Sequence, residues 1–240
     1  MKKLHTLFLI SNVFIFAFVK GVFSDTWHED FSIKGLYSWK IHDEFIGEFI
    51  WQTKDDQLDV WIDPFPGPGI FHIFPLEFVG FPIKVTEFDV KVSILEARGG
   101  SIGIFVGQCD DGDVYNRTIK FLHTLFLNTI IRRGADIDQL PPLVLVNNVP
   151  IPLKEIEVSF KEGHFSFFSQ RILITEFQVK ELREIDCFGL IAYVYKGAGA
   201  VGEFVLDDFI VSGPDVPVFR DLSVRPVGKA AVLWGDLKQR

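Results

Sequence analysis

Residues 203–214 read Glu-Phe-Val-Leu-Asp-Asp-Phe-Ile-Val-Ser-Gly-Pro. β-Branched and aromatic residues dominate this stretch, an acidic pair at Asp207-Asp208 interrupts it, and Gly213-Pro214 stops it. That composition predicts one strand. A strand apolar at nearly every position is ordinarily covered on both faces, so this one is expected in the interior of a sheet. It comes late in the chain. A late strand that is central must pair with early ones, which requires the fold to close on itself.

The rest of the chain repeats the same kind of segment. Strand-like runs fall at 49–53, 58–62, 70–74, 85–95, 101–109, 117–121, 143–146, 155–161, 164–169, 171–177, 187–195 and 203–211. From Trp27 to the C-terminal tail no long stretch has a helical period. In 86–94, Phe88, Val90, Val92 and Ile94 alternate with Glu87, Asp89, Lys91 and Ser93, which gives one core face and one wet face. Lys161-Glu-Gly-His164 turns one alternating run into the next, and Gly99-Gly100 ends the long one. The expected class is all-β, two packed antiparallel sheets, with the 26 phenylalanines filling the space between them.

Several short motifs carry a family resemblance. Leu206-Asp-Asp-Phe-Ile-Val-Ser-Gly-Pro214 is similar to the closing strand of concanavalin A-like (laminin G-like) jelly-roll domains of exported proteins. Trp27-His-Glu-Asp-Phe31, Ser38-Trp39 and Trp51-Gln-Thr-Lys-Asp-Asp-Gln-Leu58 resemble their opening, in which the last motif is written W-x-x-x-D-G-x-L; Asp56 stands here in place of the glycine. The hairpin through 155–172 resembles their penultimate one. The resemblance spans roughly Trp27 to Pro214 and implies a two-sheet jelly-roll sandwich. It also brings in a branch that hydrolyses 3-keto-disaccharides and shares this opening.

Three segments follow. Residues 1–24 begin with Lys2-Lys3, continue in an apolar run and end in Val22-Phe-Ser24, the pattern of a secretory signal peptide. Residues 25–214 form the sandwich, and 215–240 form a tail whose last twelve residues read as a short helix, with Val232, Leu233 and Leu237 on one side. The apolar run is short for a bilayer span and Lys20 interrupts it, so no stable membrane span is expected after cleavage. Cleavage removes Lys2, Lys3 and Lys20 and no acid, moving the net charge from −8 to −11. An acidic exported domain is a poor partner for nucleic acid or an anionic membrane. The expected location is secreted, periplasmic or cell-surface. Cys109 and Cys187 are too few for a disulfide framework, and whether they pair is left open by sequence alone.

Candidate chemistry is sparse. The glucanases of this superfamily place two carboxyls on one strand in the pattern E-x-D-x-x-E, flanking the glycosidic bond. Glu87 and Asp89 fit the first two positions, but Val92 occupies the third and transfers no proton. No nucleophile elbow, phosphate loop or metalloprotease motif is present, and the six histidines lack ligand spacing. Asp110, Asp111 and Asp113 around Gly112 offer three oxygen ligands to calcium; the competing reading is an ordinary Asp-Gly turn. For a saccharide, aromatic faces with polar neighbours are needed, and Trp51, Trp61, Tyr115 and Arg117 are the candidates. Buried structural tryptophans are the alternative for the first two. Asn116-Arg-Thr118 is a glycosylation sequon in a eukaryotic host. The expected function is binding of a glycan or other extracellular ligand. The alternatives are an enzyme of the 3-keto-disaccharide type and a structural or adhesive surface module.

Overall fold

The computed structural model describes residues 25–42, 48–63, 71–79, 84–109, 118–124, 128–133, 144–147, 154–195, 201–214 and 216. They form strands β1 (Asp25–Glu29), β2 (Trp39–Ile41), β3 (Glu48–Lys54), β4 (Gln57–Asp63), β5 (Phe71–Phe78), β6 (Glu87–Arg98), β7 (Ser101–Gly107) and β8 (Thr118–Thr124). The chain continues with β9 (Asn128–Arg133), β10 (Val144–Asn147), β11 (Glu155–Lys161), β12 (His164–Ser169), β13 (Ile172–Gln178), β14 (Cys187–Tyr195) and β15 (Gly202–Gly213). Among the described residues there is no helix. The first sheet runs β13-β12-β11-β6-β15-β4-β3, with β1 also on β15; the second runs β10-β9-β8-β7-β14-β5-β2. All strand pairs are antiparallel.

β15 is central, as its composition predicts. It pairs with β6 along one edge and with β4 and then β1 along the other. Its burial differs from expectation: core positions alternate with half-covered ones instead of being buried throughout. β7 is buried at every position, as is β14 from Cys187 to Val194. The acidic pair has a local cause. The register with β6 steps between Asp207 and Phe209, and Asp208 sits at a φ of 46°. This is a β-bulge, and Asp tolerates the left-handed region that such an extra residue needs. Asp207 Oδ1 accepts the Asp208 amide at 2.8 Å, and the Asp208 carboxylate meets His28 Nε2 at 2.6 Å, tying the bulge to β1.

Two-residue turns set much of the register. Asp55 and Asp56 join β3 to β4 with φ of 52° and 59°, the type I′ pattern that matches strand twist. The aspartate that replaces the family's glycine is therefore compatible with the turn. Glu162-Gly163 joins β11 to β12 and Gln170-Arg171 joins β12 to β13, again with both φ positive. β5 runs past Pro75, where the sequence suggested an end. The Pro75 carbonyl faces His42 at 3.3 Å, just beyond the end of β2. In an antiparallel ladder a residue's N and O point to the same neighbour, so the missing N–H is not taken from the β14 pairing.

Between the sheets the alternating positions build an aromatic seam. Phe188 of β14 stacks on Phe78 of β5 at 5.4 Å and meets Phe88 of β6 at 5.6 Å and Phe209 of β15 at 6.2 Å. Trp27 and Trp39 close that end, with Trp27 4.4 Å from Phe78 and Trp39 4.8 Å from Phe209. A second group gathers Phe160 and Phe165 at 4.9 Å, Phe165 and Phe177 at 5.4 Å, and Phe121 and Phe167 at 5.6 Å. Residues 1–24 and the tail from 217 onward, with its expected helix, lie outside the described residues.

Candidate functional site

On β4, Leu58, Val60 and Ile62 point into the core, so Asp59, Trp61 and Asp63 point out. The pairing carries this face across four strands. Ile50 of β3, Trp61 of β4, Glu203 of β15 and Arg98 of β6 stand in one row. Gln52, Asp59, Val205 and Glu96 form the next row. Strands about 4.8 Å apart make such a row roughly 14 Å wide. Trp61 is half-buried, and its indole makes no hydrogen bond or ring contact among the described residues. Arg98 reaches Glu96 at 3.5 Å and Glu203 at 3.8 Å, all well exposed. These screened pairs are weak and exchange readily with water or a ligand.

Trp51 faces the other way. It lies opposite Val60, is 6% exposed and belongs to the core, so its ring is a packing group. Tyr115, Arg117, Asp110, Asp111 and Asp113 lie outside the described residues. Cys109, the residue before Asp110, is joined to Cys187 by a disulfide, with a Cα separation of 5.7 Å. The Cys109 amide donates to Asp186 Oδ1 at 2.7 Å. The two sulfurs and the Asp186 carboxylate lie within 4.8 Å of one another, but the sulfurs bond each other and are not free thiolates for a metal.

The strand that resembles the glucanase motif places its residues by parity. Glu87 and Asp89 face outward, Glu87 binding Lys161 Nζ at 2.8 Å, while Val92 is buried in the core.

Sequence reasoning passed over Glu157, on the outer face of β11. Its alternation with Ile156 and Val158 showed which way it faces, but not its neighbours on other strands. Half-buried Phe168 lies opposite it on β12, and Lys91 opposite it on β6. Burial, and then the Asp89 carboxylate, raise the Glu157 pKa above the ordinary carboxylate range; Lys91 opposes the shift. The nearby Lys91–Glu155 pair is closed at 3.2 Å. A raised folded-state pKa favours folding when the group is protonated, and that contribution is lost as pH rises through the folded pKa. Glu157→Gln is therefore expected to raise the melting temperature at neutral pH. The gain should shrink as pH falls through the raised folded-state pKa and vanish below the unfolded value, about 4.3, which thermal melts from about pH 3 to pH 8 would check. An equal gain at every pH would assign the effect to packing.

No protein-family model matches the sequence, and no curated protein matches it. Solved structures do. A Bacillus subtilis protein of unknown function with a galectin-like fold superimposes with a TM-score of 0.51 at 10% identity, covering 77% of this chain and 94% of its own. The catalytic domain of an endo-1,3-β-glucanase from Thermotoga petrophila gives 0.52 at 9% identity, covering 80% and 100%. An endo-β-galactosidase from Clostridium perfringens that releases GlcNAcα1-4Gal gives 0.54 at 12%, covering 80% and 63%. The fold is the concanavalin A-like jelly roll. The jelly roll here keeps the two antiparallel sheets and the late central strand that its closing motif implied. At these identities the likeness is one of fold, and the face around Trp61 is argued from this chain's own residues.

Proposed function

We propose that this jelly roll is an exported carbohydrate-binding module that takes a saccharide on the outer face of β3, β4, β15 and β6. The observation that carries the reading is Trp61: a large aromatic face with no partner among the described residues, standing in its row between exposed Ile50 on one side and Glu203 and Arg98 on the other. An indole stacks on the C–H face of a pyranose, and Gln52, Asp59, Glu203 and Arg98 supply donors and acceptors for hydroxyls. The solved structures of similar fold include enzymes named for β-glucans and β-galactosides, which supports a glycan as ligand. The basic start, the apolar run before Ser24 and the disulfide suit export to an oxidising compartment. The reading is of binding without hydrolysis, because Val92 lies in the core where the glucanase pattern needs its second glutamate.

Affinity electrophoresis through gels containing laminarin, mixed-linkage glucan or galactan tests it. The parent protein is expected to be retarded by at least one of these polymers. Trp61→Ala is expected to weaken that binding about tenfold, near 1.4 kcal/mol, with an unchanged melting temperature. Undiminished binding by Trp61→Ala would move the site elsewhere.

A further inference from the structure

At the far end of the first sheet, away from Trp61, three segments line a half-open hollow of about 620 Å³. Its lining includes Lys161, Glu162, His164, Gln178, Lys180 and Arg183. The volume is in the range of small-molecule sites.

The walls are fixed by backbone contacts. Gly163 sits in the β11–β12 turn at a φ of +88°, and a Cβ there would come within 2.7 Å of the Val179 carbonyl and 3.0 Å of the Leu182 carbonyl. The Val179 amide donates to the Gly163 carbonyl at 2.8 Å, and the Glu162 amide donates to the Thr86 carbonyl at 2.9 Å. Val179 and Leu182 are buried, which leaves Lys180 and Arg183 pointing away from the core. His164 and Gln178 face each other across β12 and β13.

The charge is unusual for this chain. The protein carries a net charge of −8, yet only one carboxylate, Glu162, lines the hollow. Lys161 is compensated by Glu87 at 2.8 Å. Lys180 and Arg183 have no ion pair among the described residues. Two cations without an ion pair among the described residues, a guanidinium fork and an ammonium, line the hollow together with the donors of His164 and Gln178 and the single carboxylate of Glu162. That set recognises an oxyanion.

We propose that this hollow binds an oxyanion group, a carboxylate or a sulfate ester, borne by an acidic polysaccharide. The polysaccharide as carrier rests on the proposed function; the oxyanion rests on the hollow alone.

Affinity electrophoresis with dextran sulfate, polygalacturonate and neutral dextran tests the proposal. The proteins compared are the parent, Lys180→Gln/Arg183→Gln, and a control, Lys34→Gln/Lys40→Gln, that removes the same charge from residues in neither the hollow nor the outward rows of β3. The parent is expected to be retarded by at least one acidic polymer and not by neutral dextran. Retardation by dextran sulfate alone assigns a sulfate ester, by polygalacturonate alone a carboxylate, and by both the shared oxyanion. The Lys180/Arg183 variant should bind about tenfold more weakly, near 1.4 kcal/mol, with the control close to the parent. Binding should also weaken with added salt as charges are screened. No retardation by either acidic polymer, or equal loss in the control, overturns the proposal. Trp61→Ala should leave acidic-polymer binding intact. A protein that binds neutral glucan through Trp61 but no acidic polymer would overturn the hollow and leave the first site standing.

Discussion

Replacing Phe188 by alanine is expected to destabilise the fold by about 3–5 kcal/mol, the range for a large buried ring. Phe188 comes from the second sheet, while Phe88 and Phe209 come from the first, so its ring bridges the two layers. It is fully buried and stacks on Phe78 within its own sheet. Truncation removes the transfer energy of the ring and leaves a void lined by rings whose backbones are held in ladders, so collapse is restricted. Urea unfolding measures the loss. Leu145→Ala, at an exposed position on the edge strand β10, is the comparison and should stay within about 0.5 kcal/mol. A Phe188→Ala loss under about 1 kcal/mol would mean that the sheets do not meet through this ring.

Opening the Cys109–Cys187 bridge is the second large effect. The two residues are 78 apart in sequence. A cross-link over that distance restricts the unfolded chain by about 4.5 kcal/mol in the loop-entropy model, and removal of such bridges is measured at about 2–5 kcal/mol. The folded structure needs no rearrangement to hold it, because Gly107 already pairs with Cys187. The double variant Cys109→Ser/Cys187→Ser should therefore keep the native fold and lower the unfolding midpoint. The parent protein in excess reductant should match it. Identical midpoints with and without reductant would show that the bridge is absent from the protein in solution.

How much of this was legible in the sequence depended on how local the signal was. β11, β12 and β14 fall where alternation and turn chemistry placed them. Glu162-Gly163 fixes its hairpin with two residues. β9, Asn-Thr-Ile-Ile-Arg-Arg, has no alternation of its own and is a strand because β8 and β10 flank it. β2 is three residues and carried too little pattern to be seen. The two tryptophans show the same limit at the site. Trp61 lies between Val60 and Ile62 in a run whose alternation declares its outward face. Trp51 follows Phe49-Ile50, apolar at consecutive positions, so only the pairing with Val60 reveals that it points inward. The hollow at Lys180 and Arg183 joins three separated segments and has no one-dimensional signature at all.

The position of β15 also sets a timetable for the growing chain. β4 is complete at Asp63, yet the strand that fills the place between it and β6 begins at Gly202. At about 5–20 residues per second, that interval of synthesis lasts roughly 7–28 s. Throughout it, the chain has made β4 and later β6 without the shared neighbour that satisfies their facing backbone groups. Hairpins such as β11–β12 can form in the meantime, since loop closure takes well under a millisecond, but the first sheet stays divided until β15 arrives. A chain in that condition is unfinished and threadable, with open edges that invite mispairing, and closure of the first sheet is a single late event at β15.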